Sequence, residues 1–105
     1  MPRRMEEFWA SPSAQEHILD KHGMALEEVL EAAESSPVYQ PAKTDAQGSL
    51  NPTGDRRYLV AGKTGSGRRL WVVFADEGGG RGRIITAREA QGQAERARHK
   101  RMRGD

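Results

Sequence analysis

The sequence predicts an α+β fold with two N-terminal helices, a three- to four-stranded antiparallel sheet and a C-terminal helix. Two observations predict this fold. Apolar residues recur at helical spacing in the first third of the chain, and β-branched and aromatic residues concentrate in short runs between residues 57 and 86. A chain of 105 residues is long enough for one domain and too short for two, so we expect a single domain over residues 1–105.

The first third of the chain carries the start and stop signals of two helices. Ser13 precedes Glu16 by three residues, the spacing of a capping box, and Gly23 has the position of a C-terminal cap. A second helix is predicted over residues 25–35, closed by Pro37. Its apolar face is expected to hold Leu26, Val29, Leu30 and Ala33, opposite Glu27, Glu28, Glu31 and Glu34.

Residues 36–55 have the composition of a loop, rich in proline, glycine and small polar residues. A structureless segment of this length is unusual in a compact domain. It is expected either to hold a short strand near Val38 and Tyr39 or to act as a mobile lid.

The rest of the chain predicts an antiparallel meander followed by a helix. Strands are expected at residues 57–61, 69–75 and 83–86, separated by glycine-rich turns. Thr86 and Glu89 form a second capping box, so the last helix is expected to start directly after the third strand. Its apolar stripe is predicted to be Ala87, Ala90, Ala94 and Ala97.

Composition and charge narrow the function classes. The chain has no cysteine, which excludes disulfides and favours a reducing compartment, and its longest apolar run, residues 70–75, is too short to span a bilayer. The N-terminus lacks the apolar stretch of a secretory signal, so we expect a cytoplasmic protein with no membrane association. Residues 6–34 carry eight acids and one base, whereas residues 81–105 carry eight bases and three acids. This asymmetry suggests a basic surface that faces an anionic partner, although a solvated helix face is the more common explanation of a charge run.

Two motifs that suggest ligands do not meet their own requirements. Gly62-Lys63-Thr64 resembles the end of a phosphate-binding loop, but Arg57 stands where the motif needs a glycine, so we predict a hairpin turn. The glycines at 78, 79, 80 and 82 fail the dinucleotide-binding pattern in the same way and indicate a flexible turn. Three scattered histidines predict no metal site, and no cofactor is expected.

The residues that carry candidate chemistry are His22 and a set of arginines. His22 either titrates near neutral pH as an acid–base group or simply places charge at a helix C-terminus. Arg57, Arg69 and Arg83 fall on the three predicted strands, and Arg88 follows the third. Clustered guanidinium groups bind phosphates and stabilise a phosphoryl transition state. The same arginines could instead pair with the acidic helices, and composition alone does not decide between the two.

Four segments in register resemble the BrnT family. They are KHG with LEEV (residues 21–29), RYLVAGKT (57–64), GRRLWVVF (67–74) and RIITAREA (83–90), the last running into a basic helix. The resemblance covers roughly residues 8–102. It implies a RelE-like fold and a bacterial toxin of a type II toxin–antitoxin pair, which cleaves RNA and stops translation.

The resemblance also implies partners and a site. The partners are an RNA substrate and a ribbon-helix-helix antitoxin that neutralises the toxin. The catalytic residues it implies are Arg57, Arg83, Arg88 and Glu89, with His22 nearby. Further RNA-binding residues are expected at Arg69, Arg96, His99, Lys100 and Arg103.

Our leading hypothesis is therefore a metal-independent endoribonuclease toxin that cleaves by attack of the RNA 2′-hydroxyl. The alternative is a catalytically inactive protein- or nucleic-acid-binding module of the same fold. A third hypothesis is a basic nucleic-acid-binding protein without a partner, which predicts strongly salt-dependent binding and no cleavage.

Overall fold

A computed structural model of the chain describes residues 5–36, 38–42 and 56–105. Within these residues the chain forms three helices and one five-stranded sheet. In chain order the elements are β1 (Glu7–Trp9), α1 (Pro12–His22), α2 (Leu26–Glu34), β2 (Tyr39–Pro41), β3 (Arg57–Lys63), β4 (Arg69–Asp76), β5 (Arg81–Glu89) and α3 (Gly92–Arg103). None of the described helices is long and apolar enough to cross a membrane.

The sheet has the strand order β1-β5-β4-β3-β2, and it corrects the predicted sheet in two respects. It contains five strands rather than three or four, and β1 runs parallel to β5, whereas the other pairs are antiparallel. β1 spans only three residues, too few for an alternating pattern to stand out in the sequence. The short strand predicted near Val38 and Tyr39 is present as β2. The alternative prediction of a mobile lid falls largely on residues 37 and 43–55, which lie outside the described part of the chain.

The N-cap of helix α1 lies two residues before the predicted cap, and the helix begins at Pro12. The hydroxyl oxygen of Ser11, not of Ser13, accepts a hydrogen bond from the Ala14 backbone N–H at 3.2 Å. Proline follows at the first helical position, where its missing N–H costs nothing. The predicted C-cap is confirmed, because Gly23 has φ of 65° and donates its N–H to the Leu19 carbonyl.

Helix α3 begins later than predicted, at Gly92, because β5 continues through Glu89. Thr86 and Glu89 pair with β4 residues as part of the strand ladder, so the predicted capping box was wrong. Pairing with the central strand β4 continues on both sides of a register shift between Val73 and Phe74, and it outweighs a local capping signal. The alanine stripe was also wrong, since Ala87 is buried within β5, whereas Ala94 and Ala97 are exposed.

The two faces of the sheet are covered unequally. Helices α1 and α2 pack on one face, over an apolar core formed mainly by Phe8, Ile18, Val29, Val60, Leu70, Val72, Phe74 and Ile84. The predicted apolar face of α2 is confirmed, with Val29 and Ala33 buried and Leu26 and Leu30 packed against the core. On the other face, α3 packs mainly against β3 and β4, and a small cluster of Ala61, Trp71 and Ala90 lies there.

The glycine of Gly62-Lys63-Thr64 is explained by close packing between α2 and β3, and a phosphate-binding role is not needed to explain it. A Cβ at this position would lie 2.3 Å from the carbonyl oxygen of Ala32, so α2 can approach β3 only because a side chain is missing. β3 ends at Lys63, and the Thr64 N–H donates to the Arg68 carbonyl across the turn. The predicted hairpin turn is therefore confirmed.

Candidate nucleic-acid interface

The register of the three long strands aligns two of the predicted arginines. Arg57 pairs with Ala75 in β4, and Ala75 in turn pairs with Arg83 in β5. Side chains of paired residues point to the same face, so Arg57 and Arg83 flank the small Ala75, with Cα atoms about 10 Å apart. Leu59 and Ala61 alternate with the core residues Tyr58 and Val60, which places Arg57 on the side of α3. We call this side, which carries Arg57, Trp71, Arg83 and Arg88, the α3 face.

Arg57 holds an unused donor. Its Nε is buried and has no hydrogen-bond partner among the described residues. A buried donor without a partner costs free energy, so Arg57 is held in the sheet without full compensation of its hydrogen-bonding groups.

Arg83 is oriented by a carboxylate that follows β4. Its Nε donates to Glu77 Oε2 at 3.3 Å, and the other oxygen of Glu77 accepts a hydrogen bond of 2.6 Å from Trp9 Nε1. The Arg81 guanidinium lies 4.9 Å from the centre of the Trp9 ring. Through these contacts β1 helps to position the basic end of β5.

Arg88 is oriented by helix α3. Its Nη1 donates to Glu95 Oε1 at 2.5 Å, and the same oxygen accepts hydrogen bonds from Trp71 Nε1 and the Gln91 N–H at 2.8 and 3.1 Å. These donors, above all Arg88, lower the pKa of Glu95. Glu95 therefore stays ionised and joins the start of α3 to Arg88 on the sheet.

His22 lies at the C-terminal end of α1, on the side of the sheet opposite to α3. Partial burial, followed by the charges of His17, Arg88 and Lys21, lowers its pKa. The helix that ends at His22, α1, packs against β5. β1 pairs only with residues 81–83, so among the described residues no strand covers the edge of β5 between His22 and Arg88.

Glu89 does not share a face with the arginine row. It follows Arg88 in a strand, so its side chain points to the opposite side. There Arg68 bridges two carboxylates, with Nη2 at 3.4 Å from Glu89 Oε1 and Nη1 in contact with Glu28. The alternative that arginines pair with the acidic helices thus holds for Arg68, which was not among the predicted site residues.

Three of the predicted RNA-binding residues hold α3 against the sheet. His99 is fully buried, and its Nε2 lies 3.0 Å from the Leu70 carbonyl, while Nδ1 lies 3.3 Å from Arg69 Nη1. The side chains of Arg69 and Arg103 are held by further contacts. Arg69 also contacts Asp105, and Arg103 Nη1 donates to the Ala61 carbonyl and to Ser35 Oγ. His99 is therefore buried and is not exposed to an RNA backbone.

The remaining predicted residues, Arg96 and Lys100, are exposed on α3. Four further residues of this surface were not among the predicted site residues, namely Glu77, Glu95, Arg98 and Arg101. Arg98 and Arg101 are three residues apart on a helix and so share a side, a signal that was present in the sequence. Glu77 and Glu95 orient arginines that lie six and seven residues away in sequence. Their additional contacts to Trp9 and Trp71 are long-range, and no local pattern reveals them.

The α3 face therefore presents arginines from two strands and one helix beside an apolar floor. Such a surface can bind successive phosphates of a nucleic acid and neutralise charge on one of them. Within residues 5–36, 38–42 and 56–105, no group of three His, Asp or Glu side chains is placed to hold a metal ion.

Comparison with known proteins supports the architecture. The crystal structure of the ribonuclease toxin BrnT from Brucella abortus superposes with a TM-score of 0.54 at 19% sequence identity, covering 82% of this chain and 97% of that toxin. This chain shares the fold of BrnT. The resemblance to BrnT that the four segments predicted is thus confirmed for the fold. No protein-family model matches the chain, and no curated protein matches its sequence.

Proposed function

We propose that this protein is a toxin-like endoribonuclease that cleaves RNA by attack of a 2′-hydroxyl on the adjacent phosphate. The observation that carries the proposal is the row Arg57–Ala75–Arg83 on the α3 face, with an unpaired donor at Arg57, in a chain that shares the fold of a ribonuclease toxin. The reaction needs no cofactor, and in this proposal it needs no metal.

The chemistry divides between charge and proton transfer. The 2′-oxygen bonds to phosphorus as its proton passes to a base, and the bond from phosphorus to the 5′-oxygen breaks as an acid protonates that oxygen. The products are a 2′,3′-cyclic phosphate and a free 5′-hydroxyl. Arg57, Arg83 and Arg88 are proposed to neutralise the negative charge that develops on the phosphate.

His22 is the proposed base, because a lowered pKa keeps its imidazole neutral at pH 7. It faces the edge of β5, so it can act with Arg88 only if the RNA strand passes around that edge. The same path would be needed for Glu89, which we retain as a candidate acid–base group on these terms. Arg96 and Lys100 are proposed to attract the RNA backbone, whereas Arg69, His99 and Arg103 keep α3 in place.

The cellular role follows from the reaction. RNA cleavage would inhibit translation in the cytoplasm of a bacterium, and a cognate ribbon-helix-helix antitoxin would neutralise the protein. An antitoxin that covers the α3 face would block the arginine row. Co-expression with the product of a neighbouring gene of that class should then restore growth.

Induced expression in a bacterial host tests the proposal, with growth and total RNA integrity followed over time. We expect growth arrest with RNA loss for the wild type, and at least tenfold slower cleavage for Arg83→Ala and Arg88→Ala, because each removes a charged group that binds the reacting phosphate. Glu16→Gln, which removes an exposed charge from α1, is the control and should remain toxic. Undiminished toxicity of both arginine variants would refute the proposed site.

A binding module without catalytic activity is the second candidate. It is favoured by one observation, the placement of His22 and Glu89 away from the row that Arg57 and Arg83 form. This candidate predicts normal growth at confirmed soluble expression and RNA binding without cleavage. A basic nucleic-acid-binding protein without a partner predicts the same binding, but no complex with a ribbon-helix-helix protein.

A further inference from the structure

A groove on the α3 face lies outside the arginine row. It has a volume of about 430 Å³ and runs between helix α3 and strands β2 to β4. Its lining consists of Gln40, Leu59, Trp71, Arg98, Arg101 and Met102. Leu59 and Met102 are half-buried apolar residues at the edge of the small cluster that α3 covers, so the floor of the groove is apolar.

Two guanidinium groups line one side of this groove. Arg98 lies flat enough against the protein for its Cζ to be 4.9 Å from the centre of the Trp71 ring, and Arg101 is exposed one helical turn further on. Gln40 stands at the opposite side, in register with Leu59, and its amide offers both a donor and an acceptor. The lining thus combines an apolar platform, an amide and two cations.

We propose that this groove binds one unpaired nucleotide of single-stranded RNA next to the arginine row. The base would lie on Leu59 and Met102 beside the Arg98 guanidinium, with its edge toward Gln40, and the flanking phosphate would bind Arg101. Leu59 follows Arg57 by two residues on the same face, about 7 Å along β3, a distance close to the separation of successive phosphates. A nucleotide in the groove would therefore align its neighbour with Arg57 and Arg83.

This inference rests on the proposed function only in taking RNA as the ligand. Charge complementarity favours that ligand, because the described lining contains two cations and no carboxylate. A duplex is a poor fit, since its bases are stacked and cannot reach an apolar floor between a helix and a sheet.

Binding of a short, mixed-sequence 2′-O-methyl RNA strand tests the groove without any cleavage, because the attacking hydroxyl is blocked. Fluorescence anisotropy should show binding weaker by about tenfold or more for Arg98→Ala and for Arg101→Ala, the effect typical of removing one charged hydrogen-bond donor. The slope of log K against log salt should become shallower by about 0.7 for each arginine that binds a phosphate. Leu59→Asp should weaken binding as well, and Lys21→Ala, on the other side of the sheet, should not.

Three outcomes would overturn the inference. Unchanged affinity and salt slope in Arg98→Ala and Arg101→Ala would remove RNA from the groove, as would equal affinity for a duplex of the same length. Loss of binding to a polyglutamate peptide, but not to RNA, would assign the groove to an acidic protein instead. If cleavage is absent while these variants still weaken RNA binding, the groove stands and the proposed catalysis fails.

Discussion

Arg57 combines two properties that rarely coincide in a residue kept for stability. It is the first residue of β3, paired with Ala75, and its buried Nε has no partner among the described residues. Arg68 shows the opposite case, because it reaches both Glu28 and Glu89. Arg57 begins β3 and Arg68 directly precedes β4, the strand that pairs with β3. Of the two arginines, only Arg57 has a buried donor without a partner among the described residues.

Replacing Arg57 by methionine should separate stability from function. The unbranched side chain keeps most of the packing and removes a buried donor, so the free energy of unfolding should stay the same or rise by about 1 kcal/mol. RNA cleavage should fall below detection, because the variant no longer offers a guanidinium group to the phosphate. Denaturant unfolding and cleavage of a labelled RNA are the two measurements.

Arg68→Met provides the matched comparison for Arg57→Met. It breaks two half-exposed ion pairs, so we expect a modest loss of stability, up to about 1 kcal/mol, and continued cleavage. A strong destabilisation of Arg57→Met, with cleavage retained, would show that Arg57 serves the fold rather than the site.

Individual residues also show which features of the fold and of the candidate site could be predicted from the sequence alone. The residue types of the arginine row and the pairing of three strands were predictable, because alternation and turn signals were strong in residues 57–86. The side on which each arginine lies was not, since it depends on register. Glu77 and Glu95 also contact tryptophans 68 and 24 residues away, and a local pattern carries no information about such contacts.

At the scale of elements, α3 is attached to the sheet chiefly by polar groups. Most of its residues are charged or polar, and the only residue of the helix that is buried is His99. The sequence suggested an alanine stripe here, because alanines recur at helical spacing, but Ala87 belongs to β5 and Ala90 precedes the first residue of α3. The anchors are instead His99 on the Leu70 carbonyl, Glu95 on Trp71 and Arg103 on the Ala61 carbonyl.

This attachment should weaken in acid. Burial, together with the charges of Arg69 and Arg103, lowers the pKa of His99 below 6.5, despite hydrogen bonds to backbone carbonyls that act the other way. The unfolded state then binds more protons than the folded state, so stability is fully present above about pH 6.5 and is lost as pH falls through the folded pKa. We expect the thermal midpoint to fall as the pH is lowered below the ordinary titration range of histidine.

A variant identifies the source of that loss. His99→Gln keeps a donor for the Leu70 carbonyl and removes the titration, so its midpoint should depend less on pH over this range. His22→Gln is the comparison, because the pKa of His22 is lowered too, but at a far less buried position. Equal pH dependence of His99→Gln and the wild type would show that α3 is not held by a neutral histidine.

At the scale of the molecule, the sheet divides the charge of the chain. The acidic residues of α1 and α2 lie on one side, while β5 and α3 bring most of the basic segment 81–105 to the other. A modest net charge of +2 therefore conceals a strongly basic surface. Such a division orients an approaching polyanion toward the α3 face before any contact forms.

Salt dependence distinguishes this arrangement from a general effect of charge. Glu16→Lys with Glu27→Lys makes the acidic side more positive, and should leave the slope of log K against log salt for a 2′-O-methyl RNA strand unchanged, because that slope counts neutralised phosphates. Arg96→Gln with Lys100→Gln removes positive charge from exposed positions of α3, and should reduce the slope by about 0.7 for each phosphate that is no longer neutralised. If the slope followed net charge in both variants, RNA would be binding without a preferred face, and the separation of acidic and basic layers would have no part in recognition.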